Sequence, residues 1–383
     1  MKKLLCLALA LITLFAFFAC GGGSPAESSA EQEPESSAPS KPEKITINGR
    51  DISEFLIIYR DTNVPAKYLY AARELRDFIK ENWGVTLDTV CETERVREQE
   101  AEIYVGMING RETCEEYFYR QYENGEYVTE ITGSKVMFAC GTANGAHFGI
   151  KEFCNMLMNG DGDVKDGKYT GNGKLLRVAC VGDSITQGIN STDPQNLTYP
   201  AFIQEMLGLD YSVYNLGLSG YSICRTDTYN YIGHSTYKRS LDIKPDIVLF
   251  ALGTNDGNPG QAEKNWEGTN REQVFVDTTK EMLDAYLALE TNPQIFIILP
   301  ASLFKVGADS WNAVPWAANI ENHVLPLLKR IADEYKLPTV DMWNWSLAHP
   351  EVFTDGLHPK DNTYKDFAQE IYDRIRNTLR KPE

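Results

Sequence analysis

Two short blocks in this 383-residue chain hold residue types that can do chemistry together. An apolar run ends in Gly182-Asp183-Ser184-Ile185-Thr186, and near the end of the chain comes Asp355-Gly356-Leu357-His358-Pro359. A serine on a tight turn, an imidazole, and a carboxylate three positions before that imidazole are the parts acyl transfer needs. Ser184 would attack, and His358 would take its proton and return it to the leaving alcohol. Asp355, one turn from the ring, would hold the tautomer and stabilise imidazolium. Two other apolar runs end in Asn215-Leu216-Gly217-Leu218-Ser219-Gly220-Tyr221 and in Gly253-Thr254-Asn255-Asp256. The backbone N–H groups of Ser184 and Gly220, with the Asn255 amide, are neutral donors suited to an oxyanion. Losing one such donor typically costs about 3–4 kcal/mol in the transition state. Asp183 and Asp256 read as caps or braces for these loops. Trp266 is open to two readings, a flat apolar platform for a pyranose ring or a packing residue. His147, His234, His323 and His349 lack a matching Asp context and read as surface or packing residues.

These blocks need a frame that brings them to one place. Apolar runs at residues 177–181, 212–216, 247–252 and 295–299 read as buried strands with helical patterns between them. The last helix is the clearest: Tyr364, Phe367, Ala368, Ile371, Tyr372, Ile375 and Leu379 share one face. Strands alternating with helices imply a parallel sheet covered on both sides. Functional groups gather at the carboxyl ends of such strands, and the blocks above fall there.

In order and position, Ser184, Gly220, Asn255 and His358, with Asp355 as acid, resemble the four blocks of the SGNH hydrolases, also called the GDSL family. The resemblance covers residues 175–383 and implies an α/β fold, a flavodoxin-like five-stranded parallel sheet between helices. It also implies no metal and no cofactor. Within that family, Gly253-Thr254-Asn255-Asp256 followed by Asn265-Trp266 is similar to members that deacetylate carbohydrates.

A smaller α+β region precedes it at residues 45–158, joined by a Gly- and Asp-rich linker at residues 159–174. Residues 55–59 read as a strand, and residues 66–83 as an amphipathic helix with Leu69, Ala72, Leu75 and Ile79 in register and Gly84 as its C-cap. Short strands at residues 102–106, 127–131 and 135–138 and a helix over residues 146–157 complete it. Ala71-Ala72-Arg73-Glu74-Leu75, Ile103-Tyr104-Val105-Gly106 and the run from Gly141 to Gly149 resemble the non-catalytic front domain of alpha-glucuronidases and beta-hexosaminidases. That domain carries no catalytic residues in those families, so none is assigned here.

The N-terminus is of another kind. Lys2 and Lys3 precede an apolar run ending at Ala19-Cys20-Gly21, which reads as a signal segment over residues 1–20. It resembles the bacterial lipoprotein signal, with Cys20 lipidated, although Phe17 stands where that signal usually has Leu. Residues 21–44 contain no apolar group able to bury surface and read as a disordered tether reaching about 25–30 Å. The expected location is therefore outside the cytoplasm, lipid-anchored to a bacterial membrane or secreted. The formal net charge of −17 repels phosphate backbones, which argues against nucleic acid as a partner. No Cys pair shows C-x-x-C spacing, which gives zinc or redox chemistry little support. Cys140 and Cys180, in strand-like runs, read as buried small hydrophobes. In a bacterial lipoprotein the sequons at Asn190 and Asn196 are coincidental.

The expectation is an exported serine esterase acting on an acylated carbohydrate. A lipase or lysophospholipase would need an acyl-chain groove, and no extended apolar loop is visible near Ser184. A glycan-binding surface lipoprotein with vestigial catalysis would not need every triad position filled.

Overall fold

Among the described residues, eleven strands in two larger sheets carry the architecture, and the inner strands of the second sheet are mostly apolar. The computed structural model describes residues 41–61, 67–94, 97–260, 266–267, 269–307 and 312–382. The expected signal segment, Cys20, residues 21–40 of the tether and Asn265 lie outside the described residues. Lys41–Glu383 form one compact unit.

The front layer is a six-stranded mixed sheet: β1 (Leu56–Tyr59), β2 (Thr89–Cys91), β3 (Glu102–Val105), β4 (Glu126–Thr132), β5 (Lys135–Cys140) and β6 (Gly167–Asn172), in the order β2-β1-β3-β5-β4-β6. The first four in that order run parallel, and β4 and β6 add antiparallel. Two helices, α1 (Lys67–Trp83) and α2 (Ala143–Asn159), cover one face. Ala71, Leu75 and Ile79 of α1 and Ala146, Ile150 and Phe153 of α2 meet Ile57, Ile103 and Phe138 in one core. Gly84 ends α1 in the left-handed region at φ +72°, and its N–H donates to the Lys80 carbonyl.

The structure corrects two expectations here. Residues 159–174 are not a linker. Asp163–Val164 pairs with Thr46–Ile47 in a small three-stranded sheet, and β6 forms the edge of the six-stranded one. The strand β6 reads Gly-Lys-Tyr-Thr-Gly-Asn and alternates between half-buried and exposed. Backbone pairing to β4, not apolar content, makes it a strand. The tether stops short of residue 44 too, because the Trp83 indole N–H donates to the Pro42 carbonyl (2.8 Å) and Lys44 pairs with Asp51 (2.8 Å).

The second sheet is parallel throughout: β7 (Leu176–Gly182), β8 (Tyr211–Gly217), β9 (Ile247–Ala251), β10 (Gln294–Leu299) and β11 (Thr339–Asp341), in the order β8-β7-β9-β10-β11. Successive side chains enter opposite cores. Ala179, Val181, Val248, Phe250, Ile295 and Ile297 face one cluster with Phe275, Leu283 and Leu328. Val178, Cys180, Ile247, Leu249, Phe296 and Ile298 face the other with Phe202, Phe367 and Ile371. Both faces of the inner strands β7, β9 and β10 are buried, so these strands read as continuous apolar runs. The fifth strand has three residues with only Val340 buried, too little apolar content to mark it in the sequence. The last helix, α3 (Thr363–Ile375), buries Tyr364, Phe367, Ala368, Ile371 and Ile375.

The front layer is joined to the parallel-sheet region by polar contacts. The Asn144 amide donates to the carbonyls of Leu209 (2.7 Å) and Tyr211 (2.9 Å). His147 sits between Glu74 and Asp210, with contacts of 2.6 Å and 3.1 Å. His147 is thus neither a surface nor a simple packing residue.

The six cysteines among the described residues are free thiols, five of them buried. Burial pushes the Cys140 thiol up to about 12, consistent with inert packing. No helix among the described residues is long and apolar enough to cross a membrane.

Candidate active site

Sheet register decides where the functional blocks meet. Gly182 at the end of β7 lies opposite Gly217 on one side and Ala251 on the other. The segments carrying Ser184, Gly220 and Asn255 therefore leave three adjacent strands at the same edge. Ser184 opens a single helical turn whose N-cap is Asp183, with the Asp183 carboxylate accepting from Ile185 N–H at 3.1 Å. That turn lies against the end of β8. A Cβ built on Gly217 would stand 2.0 Å from the Gln187 backbone nitrogen, so only glycine allows the approach. The Gln187 carboxamide oxygen in turn accepts from Ser219 N–H (2.7 Å), fixing the loop that leads to Gly220.

Ser184 and His358 are 5% and 3% exposed. The Ser184 hydroxyl lies 2.9 Å from His358 Nε2, and His358 Nδ1 lies 2.9 Å from Asp355 Oδ2. A carboxylate only accepts, so Nδ1 carries the proton and Nε2 accepts from the serine hydroxyl. The other Asp355 oxygen accepts from the backbone N–H groups of Leu357 (2.8 Å) and His358 (2.6 Å). Burial alone would raise the Asp355 carboxyl, but these N–H groups and the imidazole outweigh it and hold it below the usual range. The acid is therefore ionised and aimed at the ring. Such a line can move a proton from Oγ to Nε2 while the carboxylate compensates the charge formed on the imidazole.

Gly220 adopts φ +82°, and a Cβ there would meet nothing within 4 Å. Glycine is therefore required for its backbone conformation, not for lack of room. The Asn255 amide donates to the Tyr221 carbonyl at 3.1 Å, which ties the two donor blocks together. Asp183 and Asp256 both brace loops. Burial pushes the Asp183 carboxyl up to about 6, against hydrogen bonds from Thr254 and Ile185 that act the other way. Asp256 accepts from Ile223 N–H (2.8 Å) and Cys224 N–H (3.0 Å). Burial raises its carboxyl as well, and Arg271 opposes that.

Trp266 takes the packing alternative. It is 6% exposed, His323 stacks on its ring at 5.0 Å, and the Arg271 guanidinium lies over the ring at 5.1 Å. It offers no open face to a substrate. Sequence reading also missed a buried ion pair below the site. Arg271 contacts Asp227 at 2.6 Å and 2.9 Å, and Ser222 donates to the same carboxylate at 2.5 Å. These residues are far apart in sequence and lack a shared pattern, so no local signal could have joined them.

Residues 180–365 match the model of the GDSL-like Lipase/Acylhydrolase family. An acetylxylan esterase from Xylanibacter ruminicola is 29% identical over 214 residues, which cover 51% of this chain and 42% of that protein. The chain thus matches less than half the length of that relative. Among solved structures, a lipase/acylhydrolase from Enterococcus faecalis is similar (TM-score 0.41, 19% identity, covering 55% of this chain and 99% of that one). So is a carbohydrate acetylesterase family member from Sinorhizobium meliloti (TM-score 0.41, 22% identity, 53% and 98%).

Proposed function

We propose that this chain, whose C-terminal half belongs to the GDSL-like lipase/acylhydrolase family, is an exported serine esterase that removes acetyl groups from a carbohydrate. The observation that carries the reading is the hydrogen-bonded line Ser184–His358–Asp355 at the carboxyl edge of the parallel sheet. Ser184 attacks the ester carbonyl while His358 Nε2 takes its proton. The N–H groups of Ser184 and Gly220 and the Asn255 amide receive the charge formed on the carbonyl oxygen. His358 then protonates the departing alcohol. Water, deprotonated by the same imidazole, releases acetate from Ser184. The similarity to an acetylxylan esterase supports acetyl as the acyl group and a glycan as its bearer.

The test is acetate release from a panel of acetylated plant and host polysaccharides, together with a chain-length series of nitrophenyl esters. Acetate should be cleaved best. Faster cleavage of long acyl chains would move the reading to a lipase or lysophospholipase. Ser184→Ala should abolish turnover with the fold intact, and unchanged turnover would sink the mechanism.

Export and lipidation belong to the same proposal. They are supported by the Lys2-Lys3 start, the apolar run and Cys20. Several acyl groups on Cys20 would hold the chain to a membrane more firmly than one. Labelled fatty acid should enter the protein in cells and be lost in Cys20→Ala. Equal labelling of both would remove the anchor.

A further inference from the structure

With Trp266 buried, an aromatic surface stands elsewhere, next to the Gly220 donor. Tyr221 follows Gly220 directly, and its carbonyl accepts from the Asn255 amide. Its ring packs edge-to-face on His234 (5.1 Å) and on Tyr229 (5.6 Å). Tyr229 is 52% exposed, while His234 is fixed by accepting from Thr236 N–H (3.1 Å) as a helix cap. Tyr221 thus sits between the other two rings, its backbone adjoins the Gly220 and Asn255 donors, and Tyr229 stands in solvent.

The loop holding them is anchored below. Ser222 N–H donates to the Tyr229 carbonyl (2.9 Å), and Tyr231 N–H returns to the Ser222 carbonyl (2.8 Å). The Tyr231 hydroxyl donates to the Leu216 carbonyl (2.6 Å). Asp227 within the loop is clamped by Arg271, both side chains being at most 2% exposed. Asp256, the residue after Asn255, accepts from Ile223 and Cys224. A buried ion pair and backbone hydrogen bonds therefore fix the loop that carries the exposed Tyr229 ring.

We propose that Tyr229, backed by Tyr221 and His234, is a stacking platform for a pyranose ring of the acylated carbohydrate, next to the acyl-binding donors. The inference rests on the carbohydrate esterase reading above and assigns it a sugar subsite. A pyranose presents a flat face of C–H groups that packs on an aromatic ring, with hydroxyls around its edge. A small group of tyrosine and histidine rings with polar edges suits that surface. An acyl chain would need a continuous aliphatic groove.

The test compares wild type, Tyr229→Ala and Tyr229→Phe on acetylated xylo-oligosaccharides and on ethyl acetate, which carries no ring, by pH-stat. Tyr229→Ala should raise KM for the oligosaccharides about 3- to 10-fold with kcat within twofold, and Tyr229→Phe should restore most of it. The preference for oligosaccharide over ethyl acetate should fall by the same factor. Tyr119→Ala, which removes a 92% exposed ring in the front layer, should leave both substrates unaffected. Deacetylation by Tyr229→Ala with wild-type KM would overturn the platform and leave the esterase reading standing. Wild-type hydrolysis of ethyl acetate with no acetate release from any glycan would overturn both.

Discussion

Replacing His147 by glutamine should destabilise the protein by an amount set by pH. His147 is buried where the front layer meets the loop before β8, 2.6 Å from Glu74 and 3.1 Å from Asp210. Burial alone would lower its pKa, but the two carboxylates overcome this and push it from 6.5 up to about 9. Each pKa unit is worth about 1.4 kcal/mol, so the imidazolium contributes about 3 kcal/mol when fully charged. A raised folded-state pKa means that this contribution is complete below pH 6.5 and is lost as pH climbs through 9. Linkage gives about 3 kcal/mol at pH 6, about 2 kcal/mol at pH 7.5 and a few tenths at pH 9.5. Asp210 is held down to about 2, first by the hydrogen bond from His147. That part disappears only in acid, outside this window. Urea denaturation of wild type and His147→Gln, followed by tryptophan fluorescence at each pH, gives the difference. Titrating groups that do not touch His147 cancel in the comparison. A gap between the two proteins that is equal at pH 6 and pH 9.5 would refute the charged clamp and leave only a packing role for His147.

Asp355→Asn should lower kcat by about 10³–10⁴ with little change in KM, because the wrong imidazole tautomer then faces Ser184; steady-state kinetics on an acetyl ester checks this. Arg271→Ala leaves Asp227 and Asp256 buried without their cation and should cost about 3–5 kcal/mol by urea denaturation. Arg271→Lys should rescue it only in part, since a point charge cannot serve two oxygens of Asp227 as the guanidinium does. Gly217→Ala drives a methyl into the Gln187 backbone and should cost about 1–3 kcal/mol. It should also lower esterase turnover by shifting the Ser184 turn, and a variant with wild-type stability and turnover would contradict the close approach.

Several features were legible because local pattern carries them. The three inner strands of the parallel sheet are buried on both faces, so their apolar runs stand out, and α1 and α3 show helical spacing on one face. Asp355 and His358 are three residues apart, so one turn of chain places them together. Features whose energy comes from elsewhere were not legible. The edge strands β6 and β11 bury little and exist through pairing with a neighbour.

By itself the sequence determined the order of the blocks, the α/β class and the identity of the groups able to transfer a proton, because residue types and periodicity are local properties. Only the tertiary structure decided which aromatic ring faces solvent. Trp266 and Tyr229 are both large rings near the donor blocks in sequence, yet one is covered by His323 and Arg271 and the other stands open. Likewise, nothing in the chain around His147 marks it as a clamp. Its partners Glu74 and Asp210 lie 73 and 63 residues away. Exposure and long-range ion pairing depend on which elements pack together, and that is set by the whole chain closing on its cores.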